Sequence, residues 1–258
     1  MVHLCDDLAA VAGPLILAAI EARILQSGRC RLALSGGSTP APLYAWLRDH
    51  VPHHRYAQLR ITWVDERNLP VTGPVEPGNW QRFHADSNLR LAYEHWLSAV
   101  PVGPAHVLPM SLGGTLQAEL LRFGHAFSTQ FAGGIDVAIL GAGPDGHIAS
   151  LFPDHPCLDV DDICLAVHDS PKPPTERITL ALPVLNAAAF TVVLARGAGK
   201  AAMLATAYDQ ATSDAADPQR LPLARLAPSG ALHWVVDRAA GADLLAQWTL
   251  PPASKDLP

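Results

Sequence analysis

Apolar and polar positions recur along the chain with two different periods, which predict a succession of helices and strands. From Leu8 the apolar residues recur at helical spacing through Ile16, Ile20 and Ile24, and this predicts a first helix. Short runs rich in β-branched residues and bounded by turn-forming residues predict strands. These runs are 31–34, 59–64, 135–140, 163–167, 190–195 and 232–236.

Helical segments occupy most intervals between these strands. Helices are predicted to begin near Leu43 and after Asp86-Ser87-Asn88, and to cover 115–131, 200–208 and the region around Leu244. Strands that alternate with helices pair in parallel and are covered on both faces. The pattern predicts an α/β fold with an open, mostly parallel sheet and helices on both faces. Because no interior linker is visible, we expect one domain over 1–258.

Composition and charge favour a small-molecule partner. The formal net charge is -6, from 18 basic and 24 acidic residues, and no run of Lys or Arg occurs, so we expect neither nucleic acid nor a membrane as partner. Asp6 and Asp7 stand where a signal peptide would carry basic residues. Four cysteines without a Cys-x-x-Cys pair suit reduced thiols in the cytoplasm better than a disulfide frame or a zinc site.

The stretch 141–153, Gly-Ala-Gly-Pro-Asp-Gly-His-Ile-Ala-Ser-Leu-Phe-Pro, directly follows a predicted buried strand. Open α/β sheets bind ligands at the carboxyl ends of their strands. The glycines predict a tight loop that presents His147 to a pocket, with Asp145 and Gly146 beside it, and a neutral imidazole can take a proton from water. A capping or core-edge histidine is the competing interpretation.

The same glycines match the dinucleotide fingerprint G-x-G-x-x-G. Gly141, Gly143 and Gly146 have the required spacing, and Asp169 lies at the expected distance beyond them. A dinucleotide site also needs a full helix after the glycines, and Pro153 ends any such helix before two turns are complete. A nicotinamide cofactor is therefore disfavoured.

Two further segments carry chemistry suited to phosphate. Ser35-Gly36-Gly37-Ser38-Thr39-Pro40 joins a strand to a helix, so free backbone N–H groups at a helix N-terminus are predicted to bind phosphate; a plain capped turn is the alternative. The stiff segment 170–177 carries Lys172 and Arg177, two cations suited to phosphate, unless it is only an extended linker. Asp65-Glu66-Arg67 ends another strand, either as a solvated loop or as a carboxylate and a guanidinium at the same pocket mouth.

Four segments together resemble the 6-phosphogluconolactonase family. They are 34–40, 63–67, 141–153, and 170–174 with Arg-Ile-Thr-Leu at 177–180, in the same order as in that family. The resemblance implies the fold of sugar-phosphate isomerases and deaminases, hydrolysis of 6-phospho-D-glucono-1,5-lactone to 6-phosphogluconate, and no metal or organic cofactor. One departure from the family is a lengthened connection, an inserted loop at about 69–84.

Roles follow from this resemblance as hypotheses. His147 is predicted to be the general base on water, Asp65 to orient either His147 or the sugar hydroxyls, and Arg67 to stabilise the oxyanion or the product carboxylate. The N–H groups of Gly36, Gly37 and Ser38, with Lys172 and Arg177, are predicted to hold the phosphate. The remaining substrate-binding candidates are Ser35, Thr39, Asp145 and Gly146.

Two alternative functions remain, of which the first shares the fold. An amino-sugar-phosphate deaminase or isomerase resembles Gly-His-Ile-Ala-Phe-Asn-Glu-Pro at the histidine, where this chain continues Ala149-Ser150-Leu151. A non-catalytic sugar-phosphate sensor usually adjoins a DNA-binding helix-turn-helix, for which this chain offers neither room nor basic charge. We expect a cytoplasmic monomer or homodimer.

Overall fold

The computed structural model describes residues 1–72, 79–213 and 220–249. Residues 73–78 of the predicted loop 69–84 lie outside the described residues. In chain order the regular elements are β1 Val2–Cys5, α1 Leu8–Ser27, β2 Cys30–Leu34, α2 Ala41–His50, β3 Leu59–Trp63, β4 Asp65–Arg67, α3 Asn88–His95, α4 Leu116–Gln130, β5 Val137–Gly141, β6 Cys164–Val167, β7 Arg177–Leu180, α5 Leu182–Asn186, β8 Phe190–Ala195, α6 Ala201–Thr212, β9 Ala231–Asp237 and α7 Ala242–Thr249.

Six strands form one sheet in the order β1-β9-β8-β5-β2-β3, and every neighbouring pair in it is parallel. The predicted parallel α/β fold is confirmed. Helices α1 and α2 pack together. The connections from β5 onward run across the sheet in the opposite direction to those from β1 and β2, so right-handed crossovers place the later helices on the other face.

Helix α1 contributes an apolar face to the core. By length and composition it could cross a membrane, but Ala12, Ile16 and Ile20 have no exposed surface and belong to the core cluster. Asp7 caps its N-terminus, and Gly28 ends it in the left-handed conformation that glycine adopts readily. A core helix therefore accounts for the apolar composition of this segment.

The strand order contains one topological switch point, between β2 and β5. The chain leaves β2 toward β3 on one side and leaves β5 toward β8 on the other. The two diverging connections leave a crevice outside the carboxyl ends of these neighbouring strands, where open α/β sheets bind their ligands. The loops 35–40 and 142–148 both open into this crevice.

A second, antiparallel sheet of order β4-β7-β6 was not predicted. The predicted strand 163–167 belongs to this sheet and not to the parallel one, and Arg177 begins a strand where only an extended segment was expected. Val64 alone separates β3 from β4, and its backbone bonds Leu34 in one sheet and Leu180 in the other. The chain thus passes straight from one sheet into the next at the crevice.

Candidate active site

A cavity of about 240 Å³ lies in the crevice at the carboxyl ends of β2 and β5. Its described lining comprises Ser35, Gly36, Gly37, Ser38, Thr39, Asp65, Arg67, Asn88, Gly141, Ala142, Gly143, His147, Ala149, Arg177 and Lys200. A larger groove of about 870 Å³ lies at the opposite edge of the sheet, beside the amino ends of β1 and β9. The chemistry singled out from the sequence gathers at the smaller cavity, because the loops that follow parallel strands meet there.

The histidine loop is a tight hairpin. The N–H of Gly143 donates to the carbonyl of His147 at 2.9 Å, and the N–H of Gly146 donates to the carbonyl of Gly143 at 3.1 Å. Gly146 has φ +81°, which favours glycine because it has no Cβ. No α-helix follows the glycines within 141–153, so the dinucleotide fingerprint lacks the helix it requires.

The hairpin brings Asp145 and His147 together. Nδ1 of His147 lies 2.5 Å from Oδ1 of Asp145, and Nζ of Lys172 lies 3.3 Å from that oxygen and 3.2 Å from Nδ1. A carboxylate only accepts hydrogen bonds, so the shortest contact places the proton on Nδ1 and leaves Nε2 as an acceptor. Burial alone would raise the pKa of Asp145, but the hydrogen bond from His147 and the positive charge of Lys172 hold it well below its usual range.

Asp65 has a different position from the one predicted. Its Oδ2 accepts a hydrogen bond from Ser150 Oγ at 2.6 Å, and its Oδ1 accepts one from Asn88 Nδ2 at 3.1 Å. The carboxylate that contacts His147 is that of Asp145 and not that of Asp65, which argues against one of the two roles expected of Asp65. The other role, contact with sugar hydroxyls, stays a prediction.

Arg177 is buried and held by its surroundings. Its guanidinium donates to the carbonyls of Pro174 at 3.0 Å and Lys172 at 2.8 Å, and NH1 lies 3.8 Å from Oδ2 of Asp65. Burial lowers the pKa of Arg177, and the charge of Asp65 opposes this shift. The predicted cation thus lines the cavity while also fixing the segment that carries Lys172.

The phosphate-type loop has the features predicted for it. The backbone N–H groups of 36–39 make no hydrogen bond within the described part of the chain. Gly37 has φ +85°. Helix α2 begins directly after the loop, with Pro40 at its N-cap. Free N–H groups at a helix N-terminus form a site for an anion.

Lys200 is a cavity-lining cation that the sequence reading missed. It precedes α6 and follows Gly197-Ala198-Gly199 at the carboxyl end of β8, next to β5 in the sheet. Burial and then the charge of Lys172 lower the pKa of Lys200, while Asp237 opposes the shift. A glycine-containing turn between a strand and a lysine at a helix start was the available signal.

Asn88 is the second residue that was missed, because its sequence context indicated only a helix cap. Glu66 positions it: Oε1 accepts the N–H of Asn88 and Oε2 accepts the N–H of Leu89, both at 2.8 Å, while Oε2 also accepts Ser87 Oγ at 2.9 Å. Burial raises the pKa of Glu66, and these hydrogen bonds oppose the shift. Asp65 and Glu66 are both buried, so the solvated-loop interpretation of this charged run is wrong.

Arg67 completes the rim of the cavity. Its NH1 donates to the carbonyl of Asp86, and its Nε is buried without a hydrogen-bond partner in the described structure. Among the described residues, no group of three or more His, Cys, Asp or Glu side chains is arranged to hold a metal ion.

Comparisons with known proteins agree with the geometry. The sequence matches the family described as Glucosamine-6-phosphate isomerases/6-phosphogluconolactonase over residues 5–234. A 6-phosphogluconolactonase of Synechocystis sp. is 34% identical over 234 residues, covering 87% of this chain and 89% of the relative. That of Homo sapiens is 37% identical over 223 residues, covering 82% and 80%. The structure of 6-phosphogluconolactonase from Trypanosoma brucei matches with a TM-score of 0.75 at 26% identity, covering 95% of this chain and 98% of that one.

The fold and the site together define a class of protein. An open α/β sheet that carries the phosphate-type loop and the His–Asp pair is typical of an enzyme that acts on a phosphorylated small molecule. Sequence similarity narrows this class. The chain belongs to the glucosamine-6-phosphate isomerase/6-phosphogluconolactonase family.

Proposed function

We propose that the protein hydrolyses 6-phospho-D-glucono-1,5-lactone to 6-phosphogluconate, the second step of the oxidative pentose phosphate pathway, with His147 as the general base. The observation that carries this proposal is the 2.5 Å contact between Asp145 and His147 in the cavity shared with the phosphate-type loop. The curated relatives named 6-phosphogluconolactonase support the substrate.

The phosphate is proposed to bind at loop 36–39 and Lys200. The loop supplies N–H groups at a helix N-terminus, and Lys200 supplies a positive charge at the same cavity. Lys172, predicted from the sequence to bind the phosphate, contacts the His–Asp pair, so we propose that it acts at the reacting end of the substrate. Binding energy from the phosphate then holds the carbonyl carbon near the imidazole.

Hydrolysis follows from this arrangement. Nε2 of His147 takes a proton from water as the water oxygen bonds to carbon 1 of the lactone. The carbonyl oxygen becomes an oxyanion, which the positive charges of Arg67 and Lys172 stabilise. When the bond between carbon 1 and the ring oxygen breaks, the imidazolium returns its proton to that oxygen, and the product is a carboxylic acid with a free hydroxyl. The acid then releases its remaining water-derived proton to solvent and becomes the carboxylate of 6-phosphogluconate. Asp145 keeps the imidazole in the required tautomer throughout.

This scheme uses no metal or organic cofactor, since the imidazole itself activates the water. We place the protein in the cytoplasm. The core position of α1 and the free thiols of Cys5, Cys30, Cys157 and Cys164, all buried, support that placement.

The test is hydrolysis of freshly generated 6-phosphogluconolactone by the purified protein, measured against a blank without enzyme because the lactone also opens spontaneously. His147→Ala should lose about 10²- to 10⁴-fold in kcat, the usual worth of a general base. His155→Ala is the matched control, since His155 is also paired with an aspartate, Asp169, at 2.9 Å but does not line the cavity.

Two results would overturn the proposal. Folded wild-type protein that does not exceed the blank would exclude the lactonase activity, and ammonia release from glucosamine 6-phosphate would then favour the deaminase alternative. Full activity in His147→Ala would leave the reaction but exclude the base.

A further inference from the structure

The side-chain amide of Asn88 has a fixed orientation. Its Nδ2 donates to the backbone carbonyl of Asp65 at 2.8 Å and to Oδ1 of the same residue at 3.1 Å. Rotating the amide by 180° would place Oδ1 against these two acceptors, one of them a carboxylate oxygen. The donors of Asn88 are therefore used, and the acceptor Oδ1 is directed away from Asp65.

That acceptor is buried without a partner. Asn88 is 1% exposed, and Oδ1 has no hydrogen bond within the described structure. Buried polar side-chain atoms in native proteins are nearly always hydrogen-bonded, so an unpaired acceptor in the wall of a cavity indicates a missing ligand atom or water. The side chain lines the same cavity as His147 and the phosphate-type loop.

Gly36 shows where Oδ1 lies. A Cβ built on Gly36 would lie 1.7 Å from this oxygen, so only glycine permits the amide to approach the loop so closely. Oδ1 thus lies beside the first glycine of the phosphate-type loop, and Gly36 and Asn88 line the same cavity.

We propose that Asn88 Oδ1 accepts a hydrogen bond from a ring hydroxyl of the sugar lactone and thereby selects hydroxylated lactones over their deoxy analogues. Neither the phosphate dianion nor the lactone carbonyl can donate a hydrogen bond, whereas each secondary hydroxyl can. A site built to bond a hydroxyl rejects an analogue that lacks it, because its own polar group stays unpaired. This inference rests on the proposed function.

The test compares kcat/KM for 6-phosphogluconolactone with the values for its 2-deoxy, 3-deoxy and 4-deoxy analogues, each generated by oxidising the corresponding deoxyglucose 6-phosphate. For at least one analogue, the wild-type protein should show a kcat/KM about 10- to 100-fold below that of the parent, the usual cost of one buried acceptor left unpaired. In Asn88→Ala, the preference for the parent lactone over that analogue should shrink to a few-fold. The preferences over the other analogues should stay as in the wild type.

Ser150→Ala is the matched control, because it removes the other side-chain hydrogen bond to the carboxylate of Asp65. If Asn88 acted only through Asp65, both variants would lower kcat/KM equally for all four lactones, and the proposal would be wrong. Equal wild-type rates on all four lactones would also overturn it, without any variant having to fold. A parent lactone that is not hydrolysed at all would instead refute the proposed function.

Discussion

Asp145 and His147, two residues apart, are joined by a 2.5 Å contact because Gly146 between them takes a left-handed turn. Since the carboxylate binds Nδ1, the nitrogen left to accept a proton is Nε2, and Lys172 places a positive charge beside the same carboxylate. The proposed base and its orienting group are therefore supplied by one short hairpin and do not depend on distant elements.

Replacing the orienting carboxylate should impair catalysis and leave binding intact. In Asp145→Asn the amide can present a donor to Nδ1 and stabilise the wrong tautomer, so we expect kcat to fall by about 10²-fold or more with little change in KM. Steady-state kinetics on the lactone measure both constants. Asp169→Asn, which alters the surface pair with His155, should behave as wild type. A fall in kcat/KM caused by KM alone would contradict the orienting role.

The glycines of the hairpin should differ sharply in how well they tolerate substitution by alanine. A Cβ on Gly143 would lie 2.0 Å from the ring of His147, whereas one on Gly141 would meet nothing within 4 Å. We expect Gly143→Ala to lose about 1–3 kcal/mol in the free energy of unfolding from overpacking, and about 10²-fold in kcat if the ring shifts by about 1 Å. Gly141→Ala should retain stability and activity. Denaturant unfolding and kinetics test both, and equal behaviour would refute the steric account.

Because of Lys200, phosphate binding should weaken at a lower pH than it would with a lysine of ordinary pKa. Burial and the charge of Lys172 lower the pKa of Lys200 below the value of about 10.4 typical of lysine. The ammonium of Lys200 is present below this lowered pKa and is lost as the pH rises through it. The Kd of 6-phosphogluconate, measured by calorimetry, should therefore rise in that window. In Lys200→Arg the guanidinium stays charged, so its Kd should stay flat. Identical pH profiles would exclude Lys200 from phosphate binding.

Glu66 should contribute strongly to the free energy of unfolding, although no catalytic role is proposed for it. Glu66→Ala would leave buried donors of Arg67, Asn88 and Leu89 unpaired, at about 1–3 kcal/mol for each that water does not reach. We expect a loss of more than about 2 kcal/mol in the free energy of unfolding. Glu94→Ala, which breaks only the exposed pair with Arg90, should cost about 0.5 kcal/mol or less. Comparable losses in the two variants would contradict the anchoring role.

The parallel sheet could be predicted because its strands are apolar runs separated by amphipathic helices. The antiparallel sheet could not, since the pairing partner of a strand is not encoded in its own periodicity. The residues of β4 are charged and those of β7 follow a proline-rich segment, so neither resembles an isolated strand. β1 was missed because four residues at the start of the chain are too few to show a period.

The structure brings predicted site residues together where loops follow strands of the parallel sheet. Loop 35–40 and His147 reach one cavity because their strands are neighbours. The partner of His147 depended on a backbone turn, which spacing alone does not specify. Lys200 and Asn88 enter the cavity from distant parts of the chain, and their local sequences predict only the start of a helix.

The hydrogen bonds that Glu66 accepts from Ser87, Asn88 and Leu89 join the segments on either side of the inserted loop. Once the ends of a loop are fixed, doubling its length adds only about 0.6 kcal/mol of closure entropy. Changes in the length of this loop therefore cost little in closure entropy. The same property makes this loop a suitable place to graft a foreign peptide without redesigning the enzyme.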